Sequence, residues 1–444
     1  MRGVLNGQSG GLKIDGIESN CTVAEGESVK RGDFIELFRS PVDTSPTTIT
    51  SVLGASFTLG QFLIEKIADN KFFFVYYNAT DTYIYADVLQ RNEDGTLVRA
   101  ATAPVKLDNY GGNTLVFLER ISDSKVILQF NYSSQDRKYK VLSFDGSNIY
   151  VGNTFAFSNY NYTPTAALGY DSTHIITFFN VGASAYMNVL TLSGNNIVAS
   201  SAYILINSSA AIQCIHPKLL PNGKVLVIGN RSNYIVGFYL NLDVSTVTLT
   251  MLTAEVTLKY IGSIGTYPAF YLKDNLFYYF NFNNTAGTFD CHKITYDADA
   301  LTVAFVETES IRNKTNSSTL YMSQFSGTKV SDKKMILGYL ATVSGYGYPE
   351  YILYDISLGT LREEYTCRLL NTTLGSGPRY FVPNEDFPKN ISAFYNISST
   401  QYSKPVKIAE YGRKSTMNEK SHGISKGNAE TGEIFKMISI DGGF

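Results

Sequence analysis

Along the middle of the chain, short apolar runs recur at near-constant intervals, each preceded by the same polar turn. An acidic or amide residue, a turn residue and usually Lys lead into the run. It appears as Asp69-Asn70-Lys71-Phe72-Phe73-Phe74 and again as Asp123-Ser124-Lys125-Val126-Ile127-Leu128. Asp171-Ser172-Thr173-His174-Ile175-Ile176 is one residue longer, and Asn222-Gly223-Lys224-Val225-Leu226-Val227 follows. Asp274-Asn275-Leu276-Phe277-Tyr278 and Asp332-Lys333-Lys334-Met335-Ile336-Leu337 complete the series. Their first residues lie 54, 48, 51, 52 and 58 positions apart. Fixed spacing of this kind marks a repeat architecture.

Each unit predicts the same succession of strands. A first apolar strand precedes the turn, as at Phe62-Leu63-Ile64. The turn's Asn, Asp and Gly tolerate the left-handed backbone that tight hairpins need. The second strand is apolar on both faces, as expected of a strand packed between neighbouring sheets. A third follows at Thr82 to Leu89 and, in the fifth unit, at Thr288 to Ile294. A fourth lies near Thr96 to Arg99, after the turn Asn92-Glu93-Asp94-Gly95. Four antiparallel strands in about 50 residues make one propeller blade. Six units are clear. A seventh would use Arg379 to Val382 and Asn390 to Tyr395, with an outer strand from Thr48 to Leu53 closing the ring. The fold expected is all-β: a β-propeller, seven blades favoured and six the alternative, plus a small β-barrel made by the two ends.

That barrel follows from a change of texture. Residues 1–40 and 405–444 hold fewer Tyr and Phe and more Lys, Glu and Gly than 41–404. Neither end is large enough for its own core, but a propeller brings its ends together. The organisation expected is 1–40 and 405–444 as two parts of one barrel, with the propeller at 41–404 inserted between them.

Composition agrees. Of 444 residues, 36 are Gly, 32 Tyr and 27 Phe, with no Trp, and only 17% are charged against 44% hydrophobic. This excludes a disordered chain and a long coiled coil. Net charge is −2, so no broad positive field exists to hold nucleic acid. No signal-peptide core and no apolar run of about 18 residues occurs, so no membrane span is expected. The expected site of synthesis is a cytoplasm.

The candidate chemistry is thin. Cys21, Cys214, Cys291 and Cys367 are far apart and form no close pair for zinc, and His216 and His292 beside two of them read as incidental. His174 reads as a packed core residue. Gly423-Ile424-Ser425-Lys426-Gly427, after His422, has the spacing of a nucleophile elbow but no helix or later histidine to complete one. The aspartates at 69, 123, 171, 274 and 332 would suit a propeller glycosidase, but they recur at equivalent places and so read as turn formers. No catalytic residue, cofactor or metal is expected. The surface residues that stand out are Tyr160 and Tyr162, in Ser158 to Tyr162, and Tyr346 and Tyr348, in Gly345 to Pro349. Both segments are loop-like, and Tyr suits sugar or protein contacts.

The stretch from Val23 to Glu36 (Val-Ala-Glu-Gly-Glu-Ser-Val-Lys-Arg-Gly-Asp-Phe-Ile-Glu) resembles the early hairpin of small β-barrels from tailed-bacteriophage virion proteins. Gly423-Ile424-Ser425-Lys426 with Glu430-Thr431-Gly432-Glu433-Ile434-Phe435-Lys436-Met437-Ile438 is similar to their closing segment, departing from it at Ser425 and Asn428. The resemblance covers about 80 residues and implies a non-enzymatic structural protein of the capsid-decoration or tail and baseplate type. It would be made in a bacterial host and located in the virion, in multiple copies. It would contact other virion proteins, with a host-surface glycan as a further partner of the propeller. A carbohydrate-active propeller enzyme is the first alternative, and a cytoplasmic propeller scaffold the second.

Overall fold

A computed structural model describes residues 14–23, 28–29, 34–42, 47–53, 59–68, 70–92, 96–109, 115–131, 137–157, 162–261, 269–271, 275–283 and 288–312, and from 319 to 440 the strands alone. Side chains are described within 48–309 and at 335–338. By its contacts the chain divides into two compact units: Ser45–Phe387 with Ile391–Pro405, and Met1–Thr44 with Pro388–Asn390 and Val406–Phe444. The expected divisions at 40/41 and 404/405 compare with 44/45 and 405/406.

The larger unit is a β-propeller. Blade 1 consists of Leu59–Ala68, Lys71–Asn78, Tyr83–Arg91 and Leu97–Arg99, each antiparallel to the one before, and a short fifth strand, Val105–Asn109. Blade 2 repeats this with Leu115–Ser122, Lys125–Asn131, Arg137–Phe144, Ile149–Val151 and Phe155–Phe157. In blade 3 the strands are Tyr162–Gly169, His174–Val181, Ser184–Ser193, Asn196–Ser200 and Ile204–Asn207. Blade 4 has Ile212–Leu219, Val225–Arg231, Tyr234–Asp243, Thr248–Met251 and Val256–Tyr260. Blade 5 has Ala269–Tyr271, Leu276–Asn283, Thr288–Asp297 and the long outer strand Thr302–Arg312. Blade 6 is built from Ser326–Ser331, Lys334–Val343, Tyr346–Asp355 and Arg362–Arg368, with Thr319–Leu320 also on its second strand.

The seventh blade is completed from both sides of the propeller sequence. Pro378–Val382 and Ile391–Ile397 are followed by residues 400–405 of the strand Thr400–Ser415, and Thr47–Thr48 pairs there (Tyr402↔Thr48, Ser403↔Thr47). The outer strand is shorter than the expected 48–53, because Ile49–Val52 turns into one helical turn that buries Ile49 and Leu53 against Phe72 and Phe74. First strands neighbour one another from blade 1 through blade 4 and from blade 5 through blade 7, and blade 7 returns to blade 1. Blades 4 and 5 meet through Val256–Tyr260 and Thr302–Arg312. Among the described residues the ring therefore has seven blades.

The core lies between blades. Phe72, Phe73 and Phe74 are all fully buried, because successive side chains point to opposite faces and each face meets a neighbour. Phe73 and Val75 pack with Val126 and Leu128 of blade 2. Ile127 packs with Ile175 of blade 3, Ile176 with Val227 of blade 4, and Leu226 with Tyr278 of blade 5. Each such side chain contributes about 1.5–3 kcal/mol.

The fifth strand of blades 1 to 4 corrects the expectation of four. The third strand is longer than the fourth, so one partner covers only half its edge. The fourth strand pairs with its far end and the fifth with its near end (in blade 3, Leu190–Ser193 and Ala185–Met187). A polar residue fills the gap between them: Asp87, Lys140 and Asn188 in blades 1 to 3, with His292 at the matching position of blade 5. All four are buried. Asp87 accepts from Arg99 Nε at 2.7 Å, and Asn188 Nδ2 donates to Ser200 Oγ at 2.8 Å. Backbone groups left without a ladder partner must find another. Blade 4 has Phe238 at this position, and there the Thr253 hydroxyl accepts from Tyr239 N.

In the smaller unit, strands from the two ends of the chain pair with each other. Ile14–Val23 lies antiparallel to Ile434–Ile440, which pairs with Gly423–Ser425, which pairs with Phe34–Val42. Phe34–Val42 also pairs with residues 407–415. The circuit returns to its start through two parallel pairs only, Thr22↔Tyr411 and Val23↔Gly412. Ser28–Val29 and Ala429–Glu430 form a separate two-stranded sheet. Among the described residues no helix is long and apolar enough to cross a membrane.

Candidate functional site

The repeated turn has a structural job. Asn70, Gly223 and Asn275 have φ of 59°, 77° and 57°, the left-handed region that Gly and Asn tolerate. Asp171 Oδ1 accepts from the backbone N–H groups of Thr173 and His174, both at 2.7 Å, and its carboxylate meets His174 Nδ1 at 2.9 Å. Burial opposes ionisation of Asp171, but the hydrogen bonds from His174 and Thr173 outweigh it and hold the carboxyl below its usual range. The recurring Lys ties blades 1, 2 and 4 to the blade that follows each. Lys71 Nζ lies 5.6 Å from the Phe144 ring centre, Lys125 Nζ donates to Gly194 O at 3.1 Å and Lys224 Nζ to Ala298 O at 3.4 Å. Asp123 pairs with Arg120. Asp69, Asp274 and Asp332 lie outside the described residues.

The acidic feature that breaks the repeat was not anticipated. Glu65 and Glu119 occupy equivalent places on the innermost strands of blades 1 and 2, opposite Phe73 and Ile127. The same strands are joined by Leu115 N–H donating to Gln61 Oε1 at 3.0 Å. Matching positions in blades 3 to 6 hold Leu168, Lys218, Phe270 and Thr328. Burial, then the charge of Glu119, pushes the Glu65 carboxyl well above the carboxylate range, against the opposing charge of Arg120. Burial pushes Glu119 up to about 7. Neither carboxylate has a hydrogen bond or ion pair among the described residues. Two neighbouring carboxyls that cannot both ionise easily will hold a proton near neutral pH. One signal could have found them: Glu in otherwise apolar first strands, at the same offset before two successive turns.

The histidines and cysteines form no site among the described residues, and no three metal-binding side chains converge there. His174 is buried against Asp171. His216 packs its ring against Phe277 and Tyr279, at 6.2 and 6.1 Å between centres. His292 Nε2–H donates to Asn281 Oδ1 at 2.6 Å, and Nδ1 accepts from the Thr308 hydroxyl at 2.9 Å. That pair fixes the neutral Nε2–H tautomer, and burial takes the pKa down to about 4. Cys291 is a buried thiol that burial pushes up, Cys214 is half-buried, and neither is in a disulfide. Gly423–Ser425 is a strand paired with Met437 to Ser439, whereas an elbow places its Ser on a sharp strand-to-helix turn. His422 lies outside the described residues.

Three of the four candidate tyrosines are in strands, which corrects their placement in loops. Tyr162 opens the first strand of blade 3, opposite Val181. Tyr346 and Tyr348 belong to the third strand of blade 6, opposite Val343 and Ala341. Gly and Pro around them suggested a loop, but the hairpin needs only the two residues between Val343 and Tyr346. Tyr160 lies outside the described residues. All three strand positions are at the blade end that carries the hairpin between second and third strands.

No protein family matches the chain, and no curated protein matches its sequence. Among solved structures it is similar to the S. cerevisiae core factor, with 10% identity and a TM-score of 0.45 over 89% of this chain and 63% of that one. It is also similar to prolyl oligopeptidase B from Galerina marginata, with 11% identity and a TM-score of 0.46 over 78% of this chain and 48% of that one. The chain thus spans less than two thirds of either length. The propeller description rests on the strand pairings above.

Proposed function

We propose that this is a non-enzymatic structural protein of a bacteriophage particle. It is held by its terminal unit in the tail, baseplate or capsid, and its propeller is presented to neighbouring virion proteins or the host surface. The observation that supports this reading is the pairing of the two chain ends into one unit, with the propeller as a single insertion between them. The segments that resemble phage β-barrels, Val23 to Glu36 and Gly423 to Ile438, belong to that unit, and the strands within them pair with each other (Phe34↔Ile424, Ser28↔Glu430). A unit that needs both ends suits an anchor, since it keeps both attachment points of the insertion fixed. Mass spectrometry of purified particles, with capsids and tails separated, tests the proposal. The chain is expected in one fraction at many copies per particle, and its absence from both rejects the reading.

Glu65 and Glu119 favour a second reading, a glycan hydrolase. Retaining and inverting glycosidases both use two carboxyls, one kept protonated near neutral pH, and a pair that departs from repeat symmetry is the place to look. Release of reducing ends from a polysaccharide by the wild type, lost in Glu119→Gln, would support this alternative.

A further inference from the structure

We propose that the outer face of blade 4 that looks toward blade 3 binds the rings of a neutral oligosaccharide. Arg231 and Tyr234 face each other across the second-to-third hairpin of blade 4, and Tyr234 is paired in turn with Tyr260 on the fifth strand. Directly paired residues share a face of the sheet, so these three side chains stand together. The register shift between Ile235 and Val236 places Thr257 on the same face. That face looks toward blade 3, because Asn207 of blade 3 donates through Nδ2 to Glu255 Oε2 at 3.4 Å. Lys259, on the other face, lies over the Phe305 ring of blade 5 at 4.8 Å.

The chemistry is that of sugar recognition. Tyr234 and Tyr260 meet edge to face at 5.2 Å and remain 40% and 57% exposed. Such rings offer a flat apolar face to the C–H side of a pyranose, with a hydroxyl at the rim. Beside them Arg231 Nε and Glu255 Oε1 form an ion pair at 2.5 Å, and Arg231 Nη2 donates to Thr257 Oγ1 at 3.3 Å. A guanidinium, a carboxylate and an amide in one cluster supply both donors and acceptors to vicinal hydroxyls. Arg231 and Glu255 cancel in charge, so this face carries no field for a polyanion, which points to a neutral glycan.

Blades 1 and 2 do not present this surface at the matching ends. At the matching end of blade 1, Tyr83 is covered by Lys106 Nζ, 3.1 Å from its ring centre. In blade 2, Phe157 is 8% exposed and packs into the core. A repeat that hides its aromatics in two blades and exposes a pair beside an ion pair in another has a local reason for doing so. The chemistry of this face is independent of the virion reading. Only the source of the sugar, a host-surface glycan, rests on it.

The test is titration of the full-length chain with maltotetraose, cellotetraose and N,N′,N″,N‴-tetraacetylchitotetraose by saturation-transfer NMR and calorimetry. At least one is expected to bind. Tyr260→Ala should weaken it by about tenfold or more, equivalent to about 1.4 kcal/mol. Tyr260→Phe should stay within about threefold, and both variants should melt with the wild type because the ring is exposed. Binding of none of the three overturns the proposal. So does binding that survives Tyr260→Ala and Tyr234→Ala, or that is lost in Glu119→Gln instead, which would put the sugar at the first strands of blades 1 and 2. Particle location does not enter these outcomes, so failure here and failure of the virion reading are separable.

Discussion

Replacing Glu119 with Gln removes a charge that the folded state disfavours. The carboxyl sits at about 7 in the folded chain, against about 4.3 for an unperturbed glutamate. The folded state therefore holds its proton more tightly than the unfolded state. Stability from this group is fully present below about pH 4 and falls as pH rises toward 7, because the unfolded chain ionises first. Above the folded value the penalty is constant at about 4 kcal/mol, since each tenfold difference in proton affinity between the two states is worth about 1.4 kcal/mol. Glu119→Gln should nearly match the wild type at pH 4.5 and exceed it by up to ~4 kcal/mol at pH 8. Glu65 is raised partly by the Glu119 charge, so Glu65→Gln and the double variant should gain less than the sum of the singles. Urea unfolding at both pH values, followed by circular dichroism, measures this. Parallel stability profiles for wild type and Glu119→Gln would refute the claim that these carboxyls are desolvated and coupled.

Other perturbations test contacts within and between blades. An added methyl at Gly152 would lie 1.7 Å from Asn195 O, so Gly152→Ala should destabilise the chain by about 1–3 kcal/mol in urea unfolding. Asn180 bonds both backbone groups of Ile212, accepting from N at 3.0 Å and donating to O at 2.8 Å. Asn180→Ala strands buried polar groups and should cost about 3 kcal/mol in the same assay. Burial raises the Asp87 carboxyl, and Arg99 opposes this. Arg99→Leu should therefore cost about 3 kcal/mol at pH 7 and less at acid pH, where Asp87 takes up a proton, and Asp87→Asn should restore much of the loss at pH 7.

The blade repeat was legible because its signal is periodic and local. Lys71, Lys125 and Lys224 mark the same turn, and the apolar run after each is buried on both faces whatever its neighbours. The seventh blade was legible in outline for a topological reason: a ring must close, and Thr47–Thr48 was the strand available. The fifth strands were not legible. Segments such as Phe155–Phe157 and Ile204–Asn207 are too short for a period, and their need arises only from the unequal lengths of third and fourth strands. Asp87 and Asn188 carry no repeat signal in the sequence, whereas each is buried where a third strand changes partner, and His292, which read as incidental beside Cys291, is buried at the matching position of blade 5. Glu65 and Glu119 lie about one repeat apart in sequence, and only the ring makes them neighbours. The grouping of Thr257 with Tyr234 and Tyr260 depends on a register shift that no sequence pattern records.

The central claim is that the propeller is presented from a particle by a unit made of both chain ends. Immunogold labelling of intact particles, with an antibody raised against residues 171–260, tests this most directly. Gold is expected at one defined place on the particle, on the tail or over the capsid. Particles that contain the chain by mass spectrometry but bind gold only after disruption would contradict it.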